Sequence, residues 1–169
     1  KITGESHVSK IKKIIKKIEI HKADYIFISA PENVAWLLNI RGHDNPNSPI
    51  PNCRIIISRK NKIFLFVNKK KVSKIIKEKK LNDYKIIKPD NFETVVKNLK
   101  GKKFIIDPLT CSIKNENIIK SKFKIILKND PCYKLKSVKN SAEIKNMINA
   151  HIEDGVALTK FIFWIKYKN

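Results

Sequence analysis

Apolar positions spaced three and four residues apart open the chain. Val8, Ile11, Ile14, Ile15 and Ile18 fall on one side of Ser6 to Lys22 with lysines on the other, which predicts an amphipathic helix. Ala23-Asp24 then turns into YIFIS (Tyr25 to Ser29), a short apolar run suited to a strand covered on both faces. Pro31 fits the first turn of a second helix, where its missing N–H costs nothing, and Glu32 suits the helix dipole there. Val34 to Ile40 completes that helix, with Ser29 or Ala30 as its cap. RIIIS (Arg54 to Ser58) and KIFLFV (Lys62 to Val67), joined by a turn at Lys60-Asn61, predict a hairpin.

The pattern continues in alternation. Lys70 to Lys80 carries Val72, Ile75 and Ile76 on one side of a short helix. Tyr84 to Lys88 predicts a strand, Asn91 to Leu99 a helix stopped by Gly101, and Lys103 to Asp107 another strand. Pro108 to Ile119 predicts a turn and short helix, and Phe123 to Leu127 a last strand. Such alternation points to α/β layers, and the hairpin makes the sheet mixed, with about six strands flanked by helices.

From Asn140 to about Tyr167 the pattern is continuously helical. Asn140 with Glu143 makes a capping box. Ile144, Ile148, Ile152, Val156 and Phe163 line one stripe, and Met147, His151, Leu158, Phe161 and Ile165 widen it. A stripe this broad, ending in FIFWI, is too apolar for the rim of one small domain, and bare it would be an aggregation patch. The helix is expected to pack on something outside this chain or on a second copy, with His151, Phe161, Phe163 and Trp164 at the interface. A boundary near Ser137 to Asn140 divides an α/β domain, 1–137, from a linker and helix, 138–169.

Composition narrows the partners. The chain has 169 residues, enough for one ordinary domain with its own core. Net charge is +22, which brings nucleic acid to mind. Lysine, however, supplies 34 of the 37 basic residues, beside 30 isoleucines and 17 asparagines. That excess reads as compositional drift, isoleucine inside and lysine on every solvated face; Lys69 to Lys71 and Lys77 to Lys80 are read as solvated. A phosphate-clamping surface would recruit more of the forked arginine, so nucleic acid is not the expected partner. Cys53, Cys111 and Cys132 lack metal-type spacing and read as free, partly buried thiols in a reducing, cytoplasmic compartment. There is no run of 18 apolar residues, so no membrane partner is expected. The opening shows no signal pattern, and the absence of an initiator methionine predicts a piece cut from a longer chain.

Local catalytic chemistry is sparse. The histidines at 7, 21, 43 and 151 are dispersed, and HExxH, paired CxxC, EF-hand, phosphate-loop and GxSxG patterns are absent. No catalytic or metal-ligating residue is therefore assigned, and no cofactor is expected within this chain. Arg41 is read as pairing with an acid such as Asp44 or capping the preceding helix, against the sharper reading of a carboxylate holder. Gly42 is expected to meet a positive-φ requirement. His43 and Asp44 read as solvated loop residues, with proton transfer the alternative. Trp36 reads as core, His151 as a core or interface histidine bonded through one ring nitrogen, and Gly155 as a point of close backbone packing.

Three stretches in order resemble one family. SAPENVAWLLNIRGHD (Ser29 to Asp44) is similar to the "D-x-I-A-W-L-L-N-x-R-G-x-D" segment of three-domain Xaa-Pro aminopeptidases, the aminopeptidases P. NSAEIKNMINAHIEDGVALTKFIFWI (Asn140 to Ile165) resembles the helix opening their catalytic domain, and TGESHVSKIKKI (Thr3 to Ile14) the start of their second domain. The resemblance implies a creatinase/prolidase N-terminal-type α/β domain followed by an absent "pita-bread" catalytic domain. That absent domain would hold two divalent metals, usually manganese, and cut ahead of a penultimate proline. It implies that Arg41 to Asn52 is a loop facing the catalytic cleft, with Arg41, Gly42 and Asp44 matching the pattern and His43 in a variable place. PIPNCRII (Pro49 to Ile56) departs from the family's aromatic-containing continuation, and Glu153 stands where arginine is usual. The chain is thus expected to be a non-catalytic piece of such an enzyme, truncated or encoded by a split gene, inactive alone. The alternative is a stand-alone interaction or dimerisation module.

Overall fold

The computed structural model describes residues 3–77 and 84–167. Six strands form one sheet: β1 (Tyr25–Ile28), β2 (Arg54–Ser58), β3 (Ile63–Phe66), β4 (Tyr84–Ile87), β5 (Lys103–Ile106) and β6 (Lys124–Leu127), in the order β4-β3-β2-β1-β5-β6. The sheet is mixed. β2 runs antiparallel to β1 and to β3, whereas β3–β4, β1–β5 and β5–β6 are parallel.

Among the described residues seven α-helices accompany the sheet: α1 (His7–Ile20), α2 (Pro31–Leu38), α3 (Lys69–Lys77), α4 (Phe92–Asn98), α5 (Ile113–Lys120), α6 (Pro131–Ser137) and α7 (Ser141–Tyr167). Strand alternation divides the core into two layers. Ile26 and Ile28 of β1, with Ile55 and Ile57 of β2, face Ile11, Ile14 and Ile18 of α1 and Val34, Leu37 and Leu38 of α2. Tyr25, Phe27 and Ile56 face the other way, onto Phe92 and Val96 of α4 and Ile119 of α5. The second layer is aromatic: Phe27 lies 4.9 Å from Phe92, and Phe104 packs edge-on to Phe123 at 5.2 Å, geometries aromatic pairs favour.

Local signals explain most boundaries. The Ser6 hydroxyl accepts from the Ser9 N–H at 3.2 Å and caps α1. Ala30, with no side-chain bond, caps α2 ahead of Pro31, and Asn39 ends that helix in the left-handed region at φ 56°. Asn61, at φ 57°, turns the β2–β3 hairpin. The capping box at α7 forms in both directions. The Glu143 N–H donates to Asn140 Oδ1 at 3.0 Å, and the Asn140 N–H donates to Glu143 Oε2 at 2.9 Å.

Several expectations are corrected. Val8 is 52% exposed, because the buried side of α1 is centred on Ile14 and Ile18 and takes in Lys10 instead. Gly101 does not cap α4; extended Leu99 does, and a Cβ at Gly101 would lie 3.0 Å from the Asp24 side chain, so glycine there permits a close approach. A Cβ at Gly155 would meet nothing within 4 Å, so no described atom packs closely there. α6 was not expected; Asp130 caps it through the Cys132 N–H, with Pro131 at its first turn. The Ile75 and Ile76 side chains and residues 78–80, expected in α3, lie outside the described residues.

Candidate interface helix and cleft-side loop

The loop 41–52 joins α2 to β2. Gly42 has no positive φ, which corrects the expectation; a Cβ there would sit 2.7 Å from Pro51 Cα, and its N–H donates to Pro49 O at 3.1 Å. Close backbone approach, not conformational freedom, requires this glycine. The expected Arg41–Asp44 pair is absent. Arg41 donates to the carbonyl of its neighbour Ile40 at 2.9 Å, which lies beyond α2, so it caps none of that helix's own carbonyls. Asp44 instead binds Lys71 of α3 at 2.5 Å and accepts from the Asn52 N–H at 2.5 Å. The Lys71 bond, first, and the Asn52 N–H hold the Asp44 carboxyl below its usual range. Asp44 is thus a brace that closes the loop onto α3. His43 is exposed, as expected of a solvated residue.

α7 carries the other candidates. Its large apolar side chains are open to solvent, from Ile165 at 46% exposed to Tyr167 at 67%. Phe161, Phe163 and Trp164 lie among them; Phe161 stacks near Trp164 at 6.3 Å and Phe163 tilts against Tyr167 at 4.8 Å. His151 is exposed, so the core placement expected of it is corrected. Trp36 is half-buried against the aliphatic layer. Among the described residues no hydrogen bond or ring contact joins the loop candidates to those of α7.

The structure also shows polar residues that the sequence reading passed over. Lys10 is buried at 1% exposed, and its Nζ donates to Trp36 O at 2.8 Å and Asn39 Oδ1 at 2.7 Å. At the ends of β5 and β6, fully buried Asn33 donates to Asp130 Oδ2 at 2.7 Å and accepts from Lys136 Nζ at 2.6 Å. The Asp130 N–H donates to Asp107 Oδ2 at 3.0 Å, completing a knot that ties α2 and α6 to the sheet. Burial, the largest cause, raises the Asp130 carboxyl above its usual range. Only Asp130-Pro131, a cap followed by a first-turn proline, signalled this region in the sequence. An open cleft of about 1000 Å³ lies beside the base of α7, with Glu5, Lys10, Trp36, Asp130, Tyr133 and Glu143 in its lining.

Metal and thiol chemistry find little support. Among the described residues no group of three or more His, Cys, Asp or Glu side chains could hold a metal ion, so the residues present do not fit the pair of metals implied for the family. Burial pushes the Cys53 thiol up to about 12 and the Cys111 thiol to about 11, and raises Cys132 as well. All three are free, and thiols so protonated are poor nucleophiles. Among the described residues no helix is long and apolar enough to cross a membrane.

The chain is 32% identical over 168 residues to Xaa-Pro aminopeptidase 1 of Dictyostelium discoideum, covering 98% of this chain and 26% of that protein. Its fold matches X-prolyl aminopeptidase from Caenorhabditis elegans, described as cytosolic with a di-nuclear active site, at a TM-score of 0.85 and 22% identity, covering 98% of this chain and 28% of that one. The creatinase/prolidase-like N-terminal domain of a putative metallopeptidase from Corynebacterium diphtheriae matches 73% of this chain and 97% of its own, at a TM-score of 0.55 and 9% identity. The chain thus spans about a quarter of the length of the aminopeptidases it resembles. The family profile of the creatinase/prolidase N-terminal domain matches residues 1–143, and the chain belongs to that family.

Proposed function

We propose that this chain is a non-catalytic layer of an Xaa-Pro aminopeptidase-type metallopeptidase, shaping substrate access and assembly in the complete enzyme. The observation that carries this reading is α7. The sheet closes both hydrophobic layers without it, while α7 holds its apolar side chains, Ile144 to Ile165, in solvent. A helix apolar on so much of its surface is suited to burial on more than one side. Residues 138–169 therefore read as a linker and the first helix of a catalytic body, with His151, Phe161, Phe163 and Trp164 turned to that body. Two divalent metals, manganese foremost, would belong to the body and not to this layer.

The loop 41–52 reads as the side of the cleft that meets short peptides with a penultimate proline. Asp44, held by Lys71 and Asn52, stiffens it, and Arg41 stands exposed at its start. Three free cysteines and the cytosolic description of the Caenorhabditis elegans protein support a cytoplasmic setting. The test is release of the N-terminal residue from Xaa-Pro-Xaa peptides with manganese added. No turnover by this chain alone is expected; metal-dependent turnover that follows the purified chain would refute the reading.

The exposed face also favours a second reading, pairing of two copies through α7. Sedimentation that remains monomeric as concentration rises would dismiss it.

A further inference from the structure

We propose that the base of α7 and the loop 41–52 are mechanically coupled through Asn39 and the turn at Thr3 to Glu5. Four observations make the path continuous. Asn140, the cap of α7, donates through Nδ2 to Thr3 O at 3.0 Å, a contact across 137 residues of sequence. Gly4 follows at φ +66°, and a Cβ there would lie 2.5 Å from Asn140 Oδ1, so the turn is pressed against the cap. The Glu5 carbonyl at the end of the turn accepts from Asn39 Nδ2 at 2.8 Å. Asn39 Oδ1 in turn accepts from buried Lys10 at 2.7 Å.

Asn39 is also the residue at which the chain leaves α2, two positions before Arg41. Its side chain has no spare freedom: the amide nitrogen holds the turn and the amide oxygen holds the lysine that sits against Trp36 O. A tilt of α7 about its first turn moves Asn140, hence Thr3 to Glu5, hence the point from which the loop starts. Whatever settles on α7 thereby biases the loop. That this bias bears on peptide selection rests on the function proposed above; the coupling itself does not.

The perturbing variant is Asn39→Gly. Glycine takes the left-handed conformation at φ 56° without strain, so the substitution deletes both side-chain bonds and leaves the backbone at ease. Its counterpart is Asn140→Ser, which keeps a capping oxygen and is too short to reach Thr3 O. Native-state amide hydrogen exchange on the full chain reads both ends at once. The N–H groups of Gly42 and Asn52 report the loop, those of Glu143 and Ile144 the base of α7, and rates are normalised to the amides of β1 and β2.

Coupling predicts that each variant accelerates exchange at both ends by about 5- to 30-fold relative to the strands, the effect of one or two lost hydrogen bonds. If Asn39→Gly loosens the loop alone, or Asn140→Ser loosens α7 alone, or the rise does not exceed that of the strands, the coupling is refuted. Because the measurement uses no peptide substrate, an inactive chain leaves its outcome untouched.

Discussion

Replacing Lys10 by methionine separates the benefit of a buried cation at the wall of the cleft from its cost. The ammonium donates to Trp36 O at 2.8 Å and Asn39 Oδ1 at 2.7 Å and lies 4.0 Å from the centre of the Trp36 ring. Hydrogen bonds from a charged donor contribute about 1.5–3 kcal/mol each, and the ring contact about 0.5–2 kcal/mol. Against them stands desolvation of the ammonium, which costs several kcal/mol. Methionine keeps an apolar stem of similar length, so these large terms mostly cancel. What remains is two acceptors left short of a donor. Trp36 O still accepts from the Asn39 N–H at 3.4 Å, and Asn39 as a residue is only half-buried.

The expected loss for Lys10→Met is therefore about 1–2 kcal/mol near neutral pH. Lys10→Ala also empties the space of the stem, for about 2–4 kcal/mol. Burial, the largest cause, lowers the Lys10 pKa from its ordinary 10.5. The folded chain then gives up this proton before the unfolded chain does. Between the depressed value and 10.5 the unfolded state holds more protons, so wild-type stability rises relative to Lys10→Met as pH increases. Urea unfolding of both proteins at about pH 7, 9 and 10 measures the difference. A methionine variant at least as stable as the wild type at neutral pH, with a flat difference to pH 10, would show that the buried bonds carry no net weight.

Asn33→Leu should cost about 3 kcal/mol, because it leaves buried Asp130 without its 2.7 Å donor; a urea midpoint within error of wild type would contradict the knot. Paired substitutions Ile152→Glu and Phe163→Glu should move domain stability by less than about 0.5 kcal/mol, since α7 supplies neither layer; a large loss would show that the helix folds back onto the sheet. The Asp24 carboxyl is held below its usual range by the Lys102 N–H first, then by the Lys103 N–H and Arg59. Its stabilisation is therefore present above the ordinary value of 3.8 and lost as pH falls through the depressed pKa, and acid titration of Asp24→Asn should show a smaller drop than wild type. Filter binding to duplex DNA should be weak at physiological salt; tight binding whose logarithm falls steeply with log salt would restore a nucleic-acid role.

Elements with a complete local signature were legible before any coordinates. YIFIS announced a strand covered on both faces, RIIIS an arm of a hairpin, and Asn140 with Glu143 the cap of α7, because each signal lies within a few residues. Residues whose partners are distant were not legible. Asp44 looks to Arg41 in sequence yet binds Lys71, which only the packing of α3 brings near. Lys10 counts as polar in any periodic pattern, although it stands four residues before Ile14 on the buried flank of α1, where its stem packs and only its head needs partners. α6 was overlooked because Cys132, Tyr133 and Leu135 show no clear helical period, leaving its cap as the sole sign.

The contact between Thr3 and Asn140 has an architectural consequence. It sets Thr3, ahead of α1, beside Asn140, at the cap of α7, so the whole sheet lies between two neighbouring points of the chain. A unit whose entrance and exit share one spot can be set into a longer polypeptide like a bead on a loop, with little displacement of the flanking parts. Joining those two points with a short linker and opening the chain elsewhere should accordingly yield a circular permutant that keeps the sheet intact.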